Sequence, residues 1–140
     1  MRDRVEGEKA YSGSRKVEII DGLALNPQLQ GRLGVRRERH LPGLPIDREV
    51  VITSREALEL REIPSRVVIV GGGATGAEFA YIYRTYGAEV TIVELLPRLV
   101  PNEDEEISRH LEWAFDKQGI TSMTGARVDG IDIDGGQATV

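Results

Sequence analysis

Residues 66–94 read RVVIVGGGATGAEFAYIYRTYGAEVTIVE, and four patterns follow one another within them. Arg66-Val67-Val68-Ile69-Val70 is a nearly continuous apolar run, as expected of a strand covered on both faces. Gly71-Gly72-Gly73 breaks it. Ala77, Ala80, Tyr81 and Arg84 then fall at helical spacings, which predicts a helix over 74–86 with Gly87 as its left-handed stop. Glu89-Val90-Thr91-Ile92-Val93 is a second buried strand, closed by Glu94. Strand, turn, helix and strand in this order predict a βαβ unit with parallel strands.

Outward from this unit the patterns thin. Residues 120–124 are a third strand candidate, reached through a helix expected over 103–118. Asn102 is the expected cap of that helix, and Glu103 to Glu106 and Lys117 match the signs of its dipole ends. Its expected core face is Ile107, Leu111, Ala114 and Phe115. Residues 127–133 and 137–140 read as two arms of a hairpin about Asp134-Gly135-Gly136. Towards the N-terminus, 16–20 (KVEII) and 50–52 (VVI) are short strand candidates, and Thr53-Ser54 cap a short helix over 55–60. Asp21-Gly22 is a turn pair, and 23–49, with Pro27, Pro42 and Pro45, shows no clean period. The expected fold class is α/β: a Rossmann-type parallel sheet with an appended antiparallel hairpin, incomplete at its end.

The turn Gly71-Gly72-Gly73-Ala74-Thr75-Gly76 satisfies G-x-G-x-x-G, between a buried strand and a helix. Gly71 permits the sharp turn, Gly73 lets a diphosphate approach the main chain, and Gly76 lets the helix pack closely. The free N–H groups of the first helical turn would then face the phosphates. Glu94 stands 21 residues beyond Gly73, at the end of the next strand. An acid there accepts hydrogen bonds from the adenosine ribose hydroxyls, a charged contact of roughly 1.5–3 kcal/mol. It would repel a 2′-phosphate, and Leu95, Leu96 and Pro97 precede the first cation, Arg98. The cofactor expected is NAD rather than NADP.

Residues 66–94 closely resemble the NAD-binding domain of the pyridine nucleotide–disulfide oxidoreductases, above all the dihydrolipoyl dehydrogenases. The resemblance extends through Leu95-Leu96-Pro97-Arg98-Leu99-Val100-Pro101-Asn102-Glu103-Asp104 and Lys117-Gln118-Gly119-Ile120. It reaches back through Leu41-Pro42-Gly43-Leu44-Pro45-Ile46-Asp47 and Ile52-Thr53-Ser54-Arg55-Glu56-Ala57-Leu58. The resemblance implies that Glu78 helps to place the nicotinamide and that Val128 borders the adenine. It implies FAD in the full-length family, though no flavin motif stands in this chain. It implies homodimerisation of the full-length family through a domain not expected within these residues. Thr75 departs from the usual aliphatic residue of the turn, so weakened packing is expected there. A redox cysteine pair and the Ala-Thr-Gly segment before Leu41 are missing, and Arg36-Arg37-Glu38-Arg39-His40 stands in the latter's place.

The domain division expected is a remnant of the preceding FAD domain and linker over 1–60, then an NAD-binding domain over 61–140, truncated at its C-terminus. The functional expectation is the NAD(H)-binding module of a flavin-dependent disulfide oxidoreductase, inactive alone towards dihydrolipoamide. A stand-alone NAD-binding module or a non-functional gene fragment is the alternative. A flavin monooxygenase or NADH oxidase is weaker, because the Leu96-Pro97-Arg98 and Asn102-Glu103-Asp104 strings count against it.

Composition narrows the classes further. A net charge of −5 argues against nucleic acid. Without cysteine there is no thiolate nucleophile and no cysteine zinc site. His40 and His110 lack ligand spacing, so no metal is expected. Asp132, Asp134 and Gly135 hint at a calcium loop, but its first position would be Gly130, without a side-chain ligand. Ser54 and Ser65 have no base at a recognisable spacing, and no catalytic residue is assigned. No membrane span or secretory signal is visible, and the cytoplasm is the expected location.

Overall fold

The computed structural model describes residues 44–140 and the strand β1, Lys16–Ile19. Expectations on 1–15 and 20–43, including the Asp21-Gly22 turn and the 36–40 segment, lie outside the described residues. After β1 come β2 (Val51–Thr53), α1 (Ser54–Leu58), β3 (Arg66–Val70) and α2 (Ala74–Thr85). Then follow β4 (Glu89–Glu94), α3 (Glu105–Gln118), β5 (Ile120–Thr124), β6 (Asp132–Asp134) and β7 (Gln137–Thr139). The five strands β2-β1-β3-β4-β5 form one sheet, parallel at every pairing. β6 and β7 form a separate antiparallel pair. The architecture is the α/β, Rossmann-type sheet with an appended hairpin.

Alternation along β3 explains why the run is apolar throughout. Val67 and Ile69 join Ala77, Ala80 and Tyr83 of α2 and Phe115 of α3 in one core. Val68 points the other way, into a second core with Val93, Ile131 and Ala138. A parallel sheet needs cover on both faces. Here helices supply it on one side, while the hairpin and its approach supply it on the other. The register Val67↔Val90 and Ile69↔Ile92 keeps these sides in step across β3 and β4. A one-residue slip would send each set to the wrong core.

Local signals account for most element ends. Thr53 caps α1 in a reciprocal capping box with Glu56. Gly119, in the left-handed region, closes α3. The hairpin pairs Asp134 with Gln137, so only Gly135 and Gly136 lie in its loop. Asp47 organises the approach to β2 by accepting the N–H groups of Glu49, Val50 and Val51 at 2.9, 2.9 and 2.8 Å.

Several expectations need correction. Asn102 is not the cap of α3; the helix starts at Glu105 behind Asp104, because the chain first turns through a bond from Glu103 N to Val100 O. Ile107 is 53% exposed, and Ser108 is the buried residue of that turn. α1 ends at Leu58 rather than at residue 60. The first hairpin arm starts at Asp132, not 127. Trp113 lies outward on α3, 64% exposed, with Lys117 Nζ 5.8 Å from its ring centroid. Tyr83 is buried under α2, whereas Tyr81 and Tyr86 are exposed.

Candidate dinucleotide site

Parallel strands present their carboxyl ends on one rim, and ligands of open α/β sheets bind outside that rim. The turn after β3 and the end of β4 both open there. Gly71 has φ 112°, a conformation that side-chain-bearing residues rarely adopt, and its N–H donates to Val93 O at 2.8 Å. The turn is thereby tied to the end of β4.

Gly72 is held more tightly. Its N–H donates to Glu94 Oε2 at 2.6 Å, and its carbonyl accepts from Val100 N at 2.7 Å. A Cβ there would lie 2.6 Å from Leu99 Cδ2 and 3.0 Å from Glu94 Cβ. Gly73 is the cap residue of α2 and offers no side-chain acceptor to the helix. The first helical bond beyond it runs from Ala77 N to Gly73 O at 2.9 Å. The N–H groups of Ala74, Thr75 and Gly76 precede that bond, as at any helix start. With no capping side chain in front, they are the groups available to an anion.

Gly76 permits close packing, but chiefly against the turn rather than the strands. A Cβ would overlap the Gly71 carbonyl oxygen, while Ile69 Cγ2 would stand at an ordinary 3.5 Å. Ala74 is exposed and Thr75 half-buried. Glu78 is exposed on α2. Val128 lies between β5 and β6 and packs, half-buried, against the core that includes Val93.

Glu94 is 7% exposed. Besides Gly72 N, it accepts Leu96 N at Oε1, 2.7 Å away. An ionised carboxylate has about four acceptor directions, and these main-chain donors use one on each oxygen. The acid is therefore pinned at the turn, with acceptor capacity left on both oxygens.

The loop after β4 forms the rest of the site and carries residues that local pattern does not mark. Leu99 is fully buried against Gly72. Val100 has φ 41°, an outlier for a β-branched residue. Arg98 turns into its own loop, with Nη2 3.1 Å from Pro101 O and 3.3 Å from Glu103 O. Glu112 of α3 reaches across to accept Leu99 N at 2.8 Å. Among the described residues no helix is long and apolar enough to cross a membrane.

Comparison with known proteins bears on the family and the fold. The family model described as pyridine nucleotide-disulphide oxidoreductase matches residues 33–140. The chain is 48% identical over 95 residues to a dihydrolipoyl dehydrogenase of Chlorobaculum tepidum, covering 68% of this chain and 20% of that protein. It is 45% identical over 104 residues to one from Mycobacterium leprae, covering 74% and 22%. Among solved structures, LpdA of Mycobacterium tuberculosis superposes with a TM-score of 0.66 at 31% identity, over 74% of this chain and 24% of that one. A flavoprotein disulfide reductase of Escherichia coli, RclA, gives 0.58 at 31% identity over 69% and 21%. The chain spans about a fifth of the length of the curated relatives it matches.

Proposed function

Because the chain belongs to the pyridine nucleotide-disulphide oxidoreductase family, we propose that residues 61–140 are its NAD(H)-binding module, of the dihydrolipoyl dehydrogenase kind. The observation that carries this reading is the meeting of an uncapped helix start with a pinned acid: Gly72 N–H lies 2.6 Å from Glu94 Oε2. The residues fit a dinucleotide. The N–H groups of Ala74, Thr75 and Gly76 would hold the diphosphate, with Gly71 and Gly72 setting the turn and Gly73 keeping a side chain out of the diphosphate's way. Glu94 would accept the ribose hydroxyls on its remaining lone pairs. Glu78 would help to place the nicotinamide, and Val128 would border the adenine. NAD, when bound, supplies hydride transfer, here with the reduced flavin of the full-length family.

The site favours NAD over NADP for two reasons. A 2′-phosphate would meet the Glu94 carboxylate, and Arg98, the nearest following cation, is occupied within its own loop. The chain contains no cysteine, so thiol–disulfide exchange must come from elsewhere. In the same reading residues 1–60 are a remnant of the FAD domain and linker whose strands β1 and β2 pair into the module's own sheet, the location is the cytoplasm, and dimerisation belongs to a domain of the full-length family. The alternative of a stand-alone binding module is favoured by the continuous sheet from β2 to β5, which has no vacant place between its strands.

Titration of the chain with NADH and NADPH, followed by energy transfer from Trp113, tests the module. NADH should bind at least about tenfold more tightly, a difference of roughly 1.4 kcal/mol. Glu94→Ala should weaken NADH by roughly 10- to 100-fold, the range for a charged hydrogen bond. Equal affinity for the two dinucleotides, or an unaltered NADH affinity in Glu94→Ala, would falsify the assignment. Turnover with dihydrolipoamide by the flavin-free chain would overturn its role as a module that needs chemistry from elsewhere.

A further inference from the structure

Resting on the dinucleotide reading, we infer that Glu112 is a positioning residue: from α3, through the Leu99–Val100 corner, it braces Gly72 and thereby shapes the phosphate cradle. The contacts are continuous. Glu112 Oε1 accepts Leu99 N at 2.8 Å. The Leu99 side chain is fully buried where any side chain on Gly72 would have to go. Val100 N then donates to Gly72 O at 2.7 Å. The Val100 carbonyl accepts Glu103 N at 2.9 Å and lies 3.5 Å from the Oγ of the buried Ser108 on α3.

Val100 shows that this corner is imposed. A valine at φ 41° carries backbone strain, and such strain persists only where its surroundings over-determine it. Here α3 supplies Glu112 on one side of the corner and Ser108 on the other. The conformation has one evident consequence, the presentation of Val100 N to Gly72 O. With Glu94 on the opposite atom of the same residue, Gly72 has neither its N–H nor its carbonyl free to rotate. The peptide planes that lead into Gly73 and the first turn of α2 are set before a ligand arrives. Pre-setting a binding site in this way reduces the ordering cost of binding. Glu112 touches none of the expected ligand groups, so its effect must pass through main-chain geometry.

The test compares the wild-type chain with Glu112→Ala and Glu112→Gln, by NADH titration, hydrogen exchange at the Gly72 amide without ligand, and the urea midpoint. Glutamine keeps an acceptor for Leu99 N and should restore the wild-type values. Alanine should weaken NADH roughly 3- to 10-fold, the range for loss of one hydrogen bond. It should also accelerate Gly72 exchange about tenfold through local opening, more than the change in urea midpoint accounts for. Should alanine not fold, Glu112→Asp, one methylene shorter, carries the same comparison. Unaltered Gly72 exchange in a folded alanine or aspartate variant overturns the brace, whatever NADH does. Exchange accelerated no more than the fall in global stability explains, or no rescue by glutamine, overturns it as well. Failure of the wild-type chain to bind NADH would instead overturn the dinucleotide reading, and the ligand-free exchange would still decide the brace.

Discussion

Two glycine turns in this molecule look alike in sequence and differ in physics. Gly72, in the middle of Gly71-Gly72-Gly73, sits in a filled space. A Cβ on Gly72 would meet Leu99 and Glu94, and one on Gly76 would overlap the Gly71 carbonyl. Gly135-Gly136 sits in open space, with nothing within 4 Å of either added Cβ, and is set by its φ values of 55° and 76°. The first turn needs glycine for room at Gly72 as well as for the positive φ of Gly71; the second needs it only for the twist of a two-residue hairpin. A glycine count cannot tell these reasons apart. A third turn, at Asp47, uses no glycine: a carboxylate gathers three amides while Arg48 takes φ 65°.

The contrast breaks most sharply at Gly76. Gly76→Ala sets a methyl against a backbone carbonyl, which cannot turn aside as a side chain does. The expected loss is about 3 kcal/mol or more in urea unfolding, at or above the usual range for overpacking, together with loss of NADH binding. A variant of wild-type stability would show that the helix start is looser than described. Gly72→Ala meets a movable Leu99, so the expected loss is smaller, about 1–3 kcal/mol, again with weaker NADH binding. An effect on stability with none on affinity would separate the turn from the ligand.

The Asp47 turn sharpens the comparison through pH. Burial pushes the Asp47 carboxyl up, but the amides of Glu49, Val51 and Val50 together outweigh it and hold the group below its ordinary 3.8. A depressed folded value means that the stabilisation is complete above the unfolded value and disappears as pH falls through the folded one. Asp47→Asn should therefore flatten the acid limb below about pH 4, read as urea midpoints from pH 6 down to pH 2. An acid limb identical to wild type would remove the carboxylate from this account. The smallest effect is expected at the hairpin. Gly136→Asn should cost less than about 1 kcal/mol in thermal or urea unfolding, because asparagine tolerates the left-handed region, and it should leave NADH affinity unchanged. A large loss would mean that this turn is crowded too.

Much of this was legible because it depends on local pattern. The apolar runs of β3 and β4, the helix stop at Gly119 and the placement of Glu94 beside the glycine turn all follow from residue type and spacing. What escaped depends on contacts between distant segments. Ile107 and Ser108 are adjacent on α3, and apolarity favours Ile107 as the inward residue. The structure selects Ser108, which lies below the Val100 corner. Asn102 is a good capping residue by type, but the chain is still turning there. The main-chain donors that pin Glu94, the left-handed Val100 and the reach of Glu112 leave no mark in local spacing. Nor does the insertion of β1 between β2 and β3, because parallel pairing joins segments far apart in the chain.

The outward position of Trp113 has a practical consequence. An indole that already faces water emits at long wavelength whether the chain is folded or not, so its colour should shift little on denaturation. Energy transfer on addition of reduced dinucleotide would then report arrival of the nicotinamide chromophore, with no shift of the emission from unfolding superposed on it.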